Sequence, residues 1–194
     1  LGGVILFDYD VSLDKPVRNI ESPAQLKRLV SALKSRAKAP LLVAVDQEGG
    51  QVCRLKEKFG FPETNSAEHL GNIDDPEKTR LAGRQIGQTL ANIGINLNLA
   101  PCVDVNINPD NPAIGRLERS FSPNPRKTAV HGRAFAQGLS EADVLSCIKH
   151  FPGHGSAYND SHKGLTDITN TWLPKELIPF RSIIRSGDAD MVMT

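Results

Sequence analysis

The chain has 194 residues, 39% of them hydrophobic, and a formal charge of +1, which describes a globular protein able to bury a substantial core. Near-neutral charge without basic runs argues against nucleic acid or an anionic membrane as the main partner. No apolar run approaches the roughly 20 residues that a membrane helix needs.

The first predicted element is a strand at residues 2–7 (GGVILF), an apolar run rich in β-branched residues. Ser22-Pro23 then opens a helix, with Ser at the N-cap, Pro at the first helical position and Leu26, Leu29, Val30 and Leu33 on its apolar face. A second strand spans 40–46 (PLLVAVD). Asp75-Pro76 opens the next helix, with Leu81, Ile86, Leu90 and Ile93 on one face and Gly94 closing it. Strands at 95–105 and 143–149 alternate with helices at 123–139 and 174–186, and a fifth strand lies at 189–194.

Strands apolar on both faces, alternating with helices, predict an α/β fold with a buried parallel sheet. Polar residues end three of the strands, at Asp46, Asp104 and Lys149, and a long Gly-, Pro- or Asn-rich loop follows each. Both (β/α)₈ barrels and open doubly wound sheets place ligands at strand C-termini, so this pattern leaves the two open. No Gly-rich phosphate fingerprint follows any strand, which disfavours nucleotide binding. A complete barrel takes about 250 residues, so five strands would be part of one.

Both ends are strand-like (LGGVILF and DADMVMT) and there is no starting Met, so we expect residues 1–194 to be one partial domain cut from a longer protein at both ends. The odd number of cysteines (Cys53, Cys102, Cys147), widely spaced among apolar residues, predicts small buried side chains without a disulfide framework. That leans towards a reducing, cytoplasmic location, with a periplasmic or extracellular one as the alternative.

Three of the five histidines crowd into residues 149–162, KHFPGHGSAYNDSH. His150 and His154 have the i, i+4 spacing of metal ligands on a helix, and Asp160 and His162 could complete a set. Pro152, Gly153 and Gly155 forbid a regular helix there, so no metal is expected. Proton transfer fits better. Asp160 can hold one imidazole nitrogen of His162, fix its tautomer and leave the other nitrogen for substrate. Lys149 and His150, at the end of a buried strand, are placed rigidly enough to bind hydroxyl groups. Arg54 and Arg119 suit such a site because a planar guanidinium can bind vicinal hydroxyls bidentately.

The stretch KHFPGHG, four residues, then DSH resembles glycoside hydrolase family 3, in its β-N-acetylglucosaminidase branch. DQEGGQVCR (46–54) is similar to the family's DxEGGxVxR, LAPCVDVN (99–106) to LAPVxDVN, and RSFS (119–122) to an arginine segment that binds the terminal sugar. The resemblance runs the length of the chain and implies part of a (β/α)₈ TIM-type barrel, about five strands and four helices. It implies a retaining exo-glycosidase acting on terminal non-reducing β-N-acetylglucosamine, with peptidoglycan fragments as a source and no cofactor. His162 would be the general acid/base and Asp160 its dyad partner, while Asp46, Arg54, Arg119, Lys149 and His150 would bind the sugar.

Asp104 is expected to orient arginine side chains. Gly153 and Gly155 would serve as hinges for the dyad loop. The family's nucleophile is an Asp on a later strand, and no carboxylate of this chain matches its motif. The usual IGxRSF spacing is two residues longer here, leaving Arg116 as an alternative to Arg119. Rival readings are a β-glucosidase, β-xylosidase or glycoside phosphorylase of the same family, or a non-catalytic sugar-binding homologue.

Overall fold

A computed structural model of the protein describes residues 2–160 and 164–194; His162 therefore lies outside the described residues. Along the chain run β1 (Gly3–Leu6), α1 (Pro23–Arg36), β2 (Leu42–Val45), β3 (Gln47–Gly49), β4 (Val52–Cys53), α2 (Ala67–Ile73) and α3 (Pro76–Ile93). Then come β5 (Leu97–Asn98), α4 (Pro125–Ser140), β6 (Leu145–Ile148), α5 (Leu177–Ser186) and β7 (Met191–Val192). The main sheet has the order β1-β2-β5-β6-β7, every pairing parallel. A doubly wound sheet reverses direction at a switch point, whereas a barrel adds each strand beside the last. The strand order thus decides between the two: this is α/β architecture with five successive strands of a (β/α)₈ barrel.

Local chemistry explains the helix starts. Ser22, Asp75 and Asn124 each accept a backbone N–H from the first turn, and each is followed by a proline at the first helical position. On α3, Ile86, Leu90 and Ile93 are buried as expected, but Leu81 is exposed. The buried face is shifted because α3 lies so close against α4: a side chain at Gly83 would strike the Phe135 carbonyl, and one at Gly138 the Arg80 carbonyl.

Two elements differ from expectation. The predicted strand at 95–105 is ladder-paired only at Leu97–Asn98, because Pro101 has no N–H to donate. Pairing resumes as a single bridge between Cys102 and Lys149. The short helix α2, which carries His69, was not predicted. Seven residues are too few to show a period, and its start is fixed by the Ser66 hydroxyl accepting from the His69 N–H. Two asparagines of this region stand in for missing strand neighbours. The Asn96 amide pairs with the Val43 N–H and the Leu41 carbonyl, and the Asn98 amide with the N–H and carbonyl of Gln47.

Alternation sorts the strand residues onto two faces. Val43, Val45 and Ile148 pack against the helices, while Ala44, Leu97, Leu99, Leu145 and Cys147 form a smaller cluster on the other face. All three cysteines are free and buried.

Candidate active site

Asp46 is in phase with Ala44 on β2, and Lys149 with Cys147 on β6, so both side chains emerge at the strand ends on the inner face. The Lys149 ammonium donates to Asp46 Oδ1 and lies against Glu48 Oε1, each at 2.7 Å. Lys149 is 2% exposed, so it is no surface lysine with its head in water. Burial works against its charge, and Glu48 and Asp46 outweigh burial and raise its pKa.

Glu48 sits at the centre, on the β3–β4 hairpin that follows β2. It accepts both arms of the Arg119 fork, Nε to Oε2 at 2.9 Å and Nη2 to Oε1 at 2.7 Å. Burial alone would raise the Glu48 carboxyl; the charges and hydrogen bonds of Lys149 and Arg119 instead bring it down to about 2. The hairpin is held by Gln47, whose side-chain oxygen accepts from the N–H groups of Arg54 and Leu55. Its turn uses Gly49 at φ +101°, where an added side chain would strike the Asn65 carbonyl. That glycine serves the turn.

Arg119 Nη1 donates to the Ala113 carbonyl at 2.7 Å, and Nη2 also faces His150 Nε2 at 3.2 Å. Among the described residues, four of the five guanidinium N–H groups thus have partners. In this structure the fork of Arg119, expected to grip a sugar, holds Glu48. Arg116 lies at the exposed lip, paired with Asp110 at 3.5 Å. The two extra residues of this loop are absorbed by a short 3₁₀ turn at Gly115–Leu117, and Arg119 keeps the inner position.

His150 is committed as well. Its Nδ1 lies 2.6 Å from Asp104 Oδ2, and since Arg119 donates to Nε2, Nδ1 carries the proton. Asp104 orients this histidine, not an arginine as expected. Burial pushes its carboxyl up, but the hydrogen bond and charge of His150 and the His154 N–H bring it down to about 2. The Cys102 thiol donates to the same Oδ2 at 3.2 Å.

On the outer side Arg54 lies between two carboxylates, 3.6 Å from Asp8 and 3.9 Å from Asp46, and Lys56 reaches Asp8 at 2.5 Å. Asp46 Oδ2, the third Lys149 N–H and the half-buried Arg54 guanidinium are the groups best placed to meet a ligand. Asp46, Arg54, Arg119, Lys149 and His150 therefore converge on one rim. Asp160 lies half-buried in the following loop. The rings of His150 and His154 stand 6.2 Å apart at 67°, each turned to its own partners. Trp172 Nε1 donates to the Pro152 carbonyl, and Tyr158 is exposed.

Glu48 and Asp8 were missed from the sequence. Asp8 follows the predicted strand at 2–7 directly, so a search for polar residues at strand ends would have found it. Gly155 was expected to act as a hinge, but an added Cβ there would lie 1.7 Å from the Val105 carbonyl oxygen. It is a point of close approach. Gly155→Ala is expected to cost ~3 kcal/mol or more of stability, measured by chemical denaturation. A hinge would instead change kcat and KM together at unchanged stability.

The sequence profile of the glycosyl hydrolase family 3 N-terminal domain matches residues 1–194. A beta-hexosaminidase A of Pseudoalteromonas piscicida is 37% identical over the whole chain, which covers 32% of that relative. The beta-hexosaminidase LpqI of Mycobacterium tuberculosis is 38% identical over 79% of the chain and 39% of its own length. Among solved structures, NagZ from Neisseria gonorrhoeae in complex with N-trifluoroacetyl-D-glucosamine superposes with a TM-score of 0.86 at 34% identity, covering the whole chain and 55% of that protein. A family 3 beta-N-acetylglucosaminidase from Paenibacillus sp. str. FPU-7 gives 0.86 at 37% identity, with 36% of its length covered. The chain spans about a third to a half of these proteins.

Proposed function

Because the chain belongs to the glycosyl hydrolase family 3 N-terminal domain family, we propose that it forms the sugar-binding side of a retaining exo-β-N-acetylglucosaminidase. The observation that carries this reading is the convergence at the strand ends of Asp46, Arg54 and a buried, charged Lys149, with Arg119 and His150 locked behind them. Asp46 and Arg54 pair an acceptor with a planar donor, the combination that vicinal sugar hydroxyls require. Lys149 adds one fixed N–H. The N-trifluoroacetyl-glucosamine ligand of the Neisseria relative supports an amino-sugar substrate, and the beta-hexosaminidase relatives support exo-hydrolysis. Peptidoglycan fragments are the proposed source of that sugar.

In the proposed reaction, His162 supported by Asp160 donates a proton to the departing glycosidic oxygen. An aspartate that the family supplies from a later strand attacks the anomeric carbon, and the leaving alcohol departs with the His162 proton. His162, now neutral, takes a proton from water as the water attacks the anomeric carbon, and the bond to the aspartate breaks to release its carboxylate. The usual pair of carboxyl groups is thereby replaced, on one side, by a histidine–aspartate dyad.

The test is hydrolysis by the full-length protein of N-acetylglucosaminide, glucoside and xyloside substrates with one leaving group. The N-acetylglucosaminide is expected to be turned over with the highest kcat/KM. Preference for the glucoside, or a rate that needs inorganic phosphate, would move the protein to one of the rival activities.

A further inference from the structure

The Arg54 guanidinium stands between two carboxylates and bonds directly to neither. Its Nη1 lies 3.6 Å from Asp8 Oδ1 and its Nη2 3.9 Å from Asp46 Oδ2, whereas a direct N–H to oxygen hydrogen bond spans about 2.7–3.2 Å. Arg54 Nε is buried and has no partner among the described residues. An arginine beside a carboxylate ordinarily closes on it with paired hydrogen bonds. This one is held off Asp46.

Asp8 supplies the opposing pull. It is 3% exposed, and the Lys56 ammonium takes its Oδ2 at 2.5 Å, which leaves Oδ1 facing Arg54. Asp46 is arranged alike: Oδ1 takes the Lys149 ammonium and Oδ2 faces Arg54. Each carboxylate is thus shared with one lysine. Coulomb attraction falls as 1/r, so at 3.6 and 3.9 Å the two pulls on Arg54 differ by only about a tenth. The backbone next to Asp8 is tied down as well. The Phe7 N–H donates to Asn19 Oδ1 and the Phe7 carbonyl accepts the Asn19 N–H, while the Phe7 ring lies 6.0 Å from the guanidinium carbon of Arg54.

We propose that Asp8 is a positioning residue of the sugar rim: its carboxylate, anchored by Lys56, holds Arg54 away from Asp46 and keeps Asp46 Oδ2 open for a sugar hydroxyl. Among the described residues no donor lies within hydrogen-bond distance of that oxygen, and Arg54 is its nearest cation. Without the opposing charge Arg54 closes on Oδ2 and fills it, and a sugar must first break that pair. Asp8 acts through Arg54 and needs no contact with the sugar. The effect on sugar binding rests on the glycosidase reading; the placement of Arg54 does not.

The test compares the wild-type full-length protein with Asp8→Asn, which keeps the shape of the side chain and removes its charge. In a ligand-free crystal structure of the variant, Arg54 Nη2 is expected within hydrogen-bond distance of Asp46 Oδ2. KM for an N-acetylglucosaminide should rise by about tenfold or more with kcat within about threefold of wild type, the mark of a lost ground-state contact. In an Arg54→Ala background the same substitution should cost nothing further, whereas a merely structural role would lower activity in both backgrounds. Where Asp8→Asn does not fold, Lys56→Met tests the balance from the other side. Released from its lysine, Asp8 should draw Arg54 into direct contact and away from Asp46. Arg54 unmoved in these variants, an unchanged KM in Asp8→Asn, or an equal loss in the Arg54→Ala background overturns the proposal. A shifted Arg54 in a protein whose wild type hydrolyses no N-acetylglucosaminide keeps the placement and loses only the glycosidase reading.

Discussion

Glu48→Ala is expected to lower the unfolding free energy by about 3–5 kcal/mol, the range for removing one partner of a buried ion pair. The loss arises because Arg119 and Lys149, 8% and 2% exposed, would stay charged in the interior without their common counter-ion. Glu48→Gln keeps the shape and loses the charge, so it should fall between the wild type and Ala. Acid gives an independent check. The Glu48 carboxyl lies near 2 in the fold against an ordinary value of 4.5, so its contribution is complete above about pH 4.5 and is lost as pH falls towards 2. That displacement corresponds to on the order of 3 kcal/mol, in line with the mutational range. Denaturant midpoints measured from pH 6 down to 3 should therefore decline more steeply for the wild type than for Glu48→Ala. Parallel curves would show that this carboxylate does not hold the rim together.

His162→Ala in the full-length protein should lower turnover by roughly 10²–10⁴-fold on substrates with poor leaving groups, the usual contribution of a general acid. Activated aryl glycosides, whose leaving groups depart without a proton, should lose far less in the glycosylation step. The contrast between the two substrates identifies the role, because a misfolded variant would lose both equally. His162 lies outside the described residues, so this expectation rests on the DSH segment and on Asp160, two residues before it. Equal loss on both substrates, in a variant whose denaturation midpoint matches the wild type, would assign the proton to another group.

Most of the architecture was legible because parallel strands and amphipathic helices carry their own periods. The Ser-Pro and Asp-Pro starts marked two helices, and continuous apolar runs marked every strand of the main sheet. Whether the sheet was open or barrel-like was not legible, since strand order is a property of pairing between distant segments. Short elements were also hidden: α2 and the β3–β4 hairpin are fixed by Ser66, Gln47 and Asn98 side chains, and no periodicity announces such contacts.

The rim shows the same division. Asp46, Arg54, Arg119, Lys149 and His150 could be named from motif spacing, and all five meet in space. Their division of labour could not be named. Arg119 and His150 look like ligand-binding residues in one dimension, yet in three dimensions most of their donors and acceptors already face Glu48, Ala113, Asp104 and each other. Gly155 reads as a pivot in the sequence only because the Val105 carbonyl, fifty residues away, is invisible there.

The Lys149–Asp46 bond joins residues 103 positions apart and spans from β6 to β2 across β5. No segment shorter than three docked strands can therefore assemble the ligand contacts, so competence to bind should arrive late in refolding. A bound sugar would then protect the native state as a whole. Amide hydrogen exchange should slow in β2, β5 and β6 together when ligand is added, instead of only in the loops that touch it.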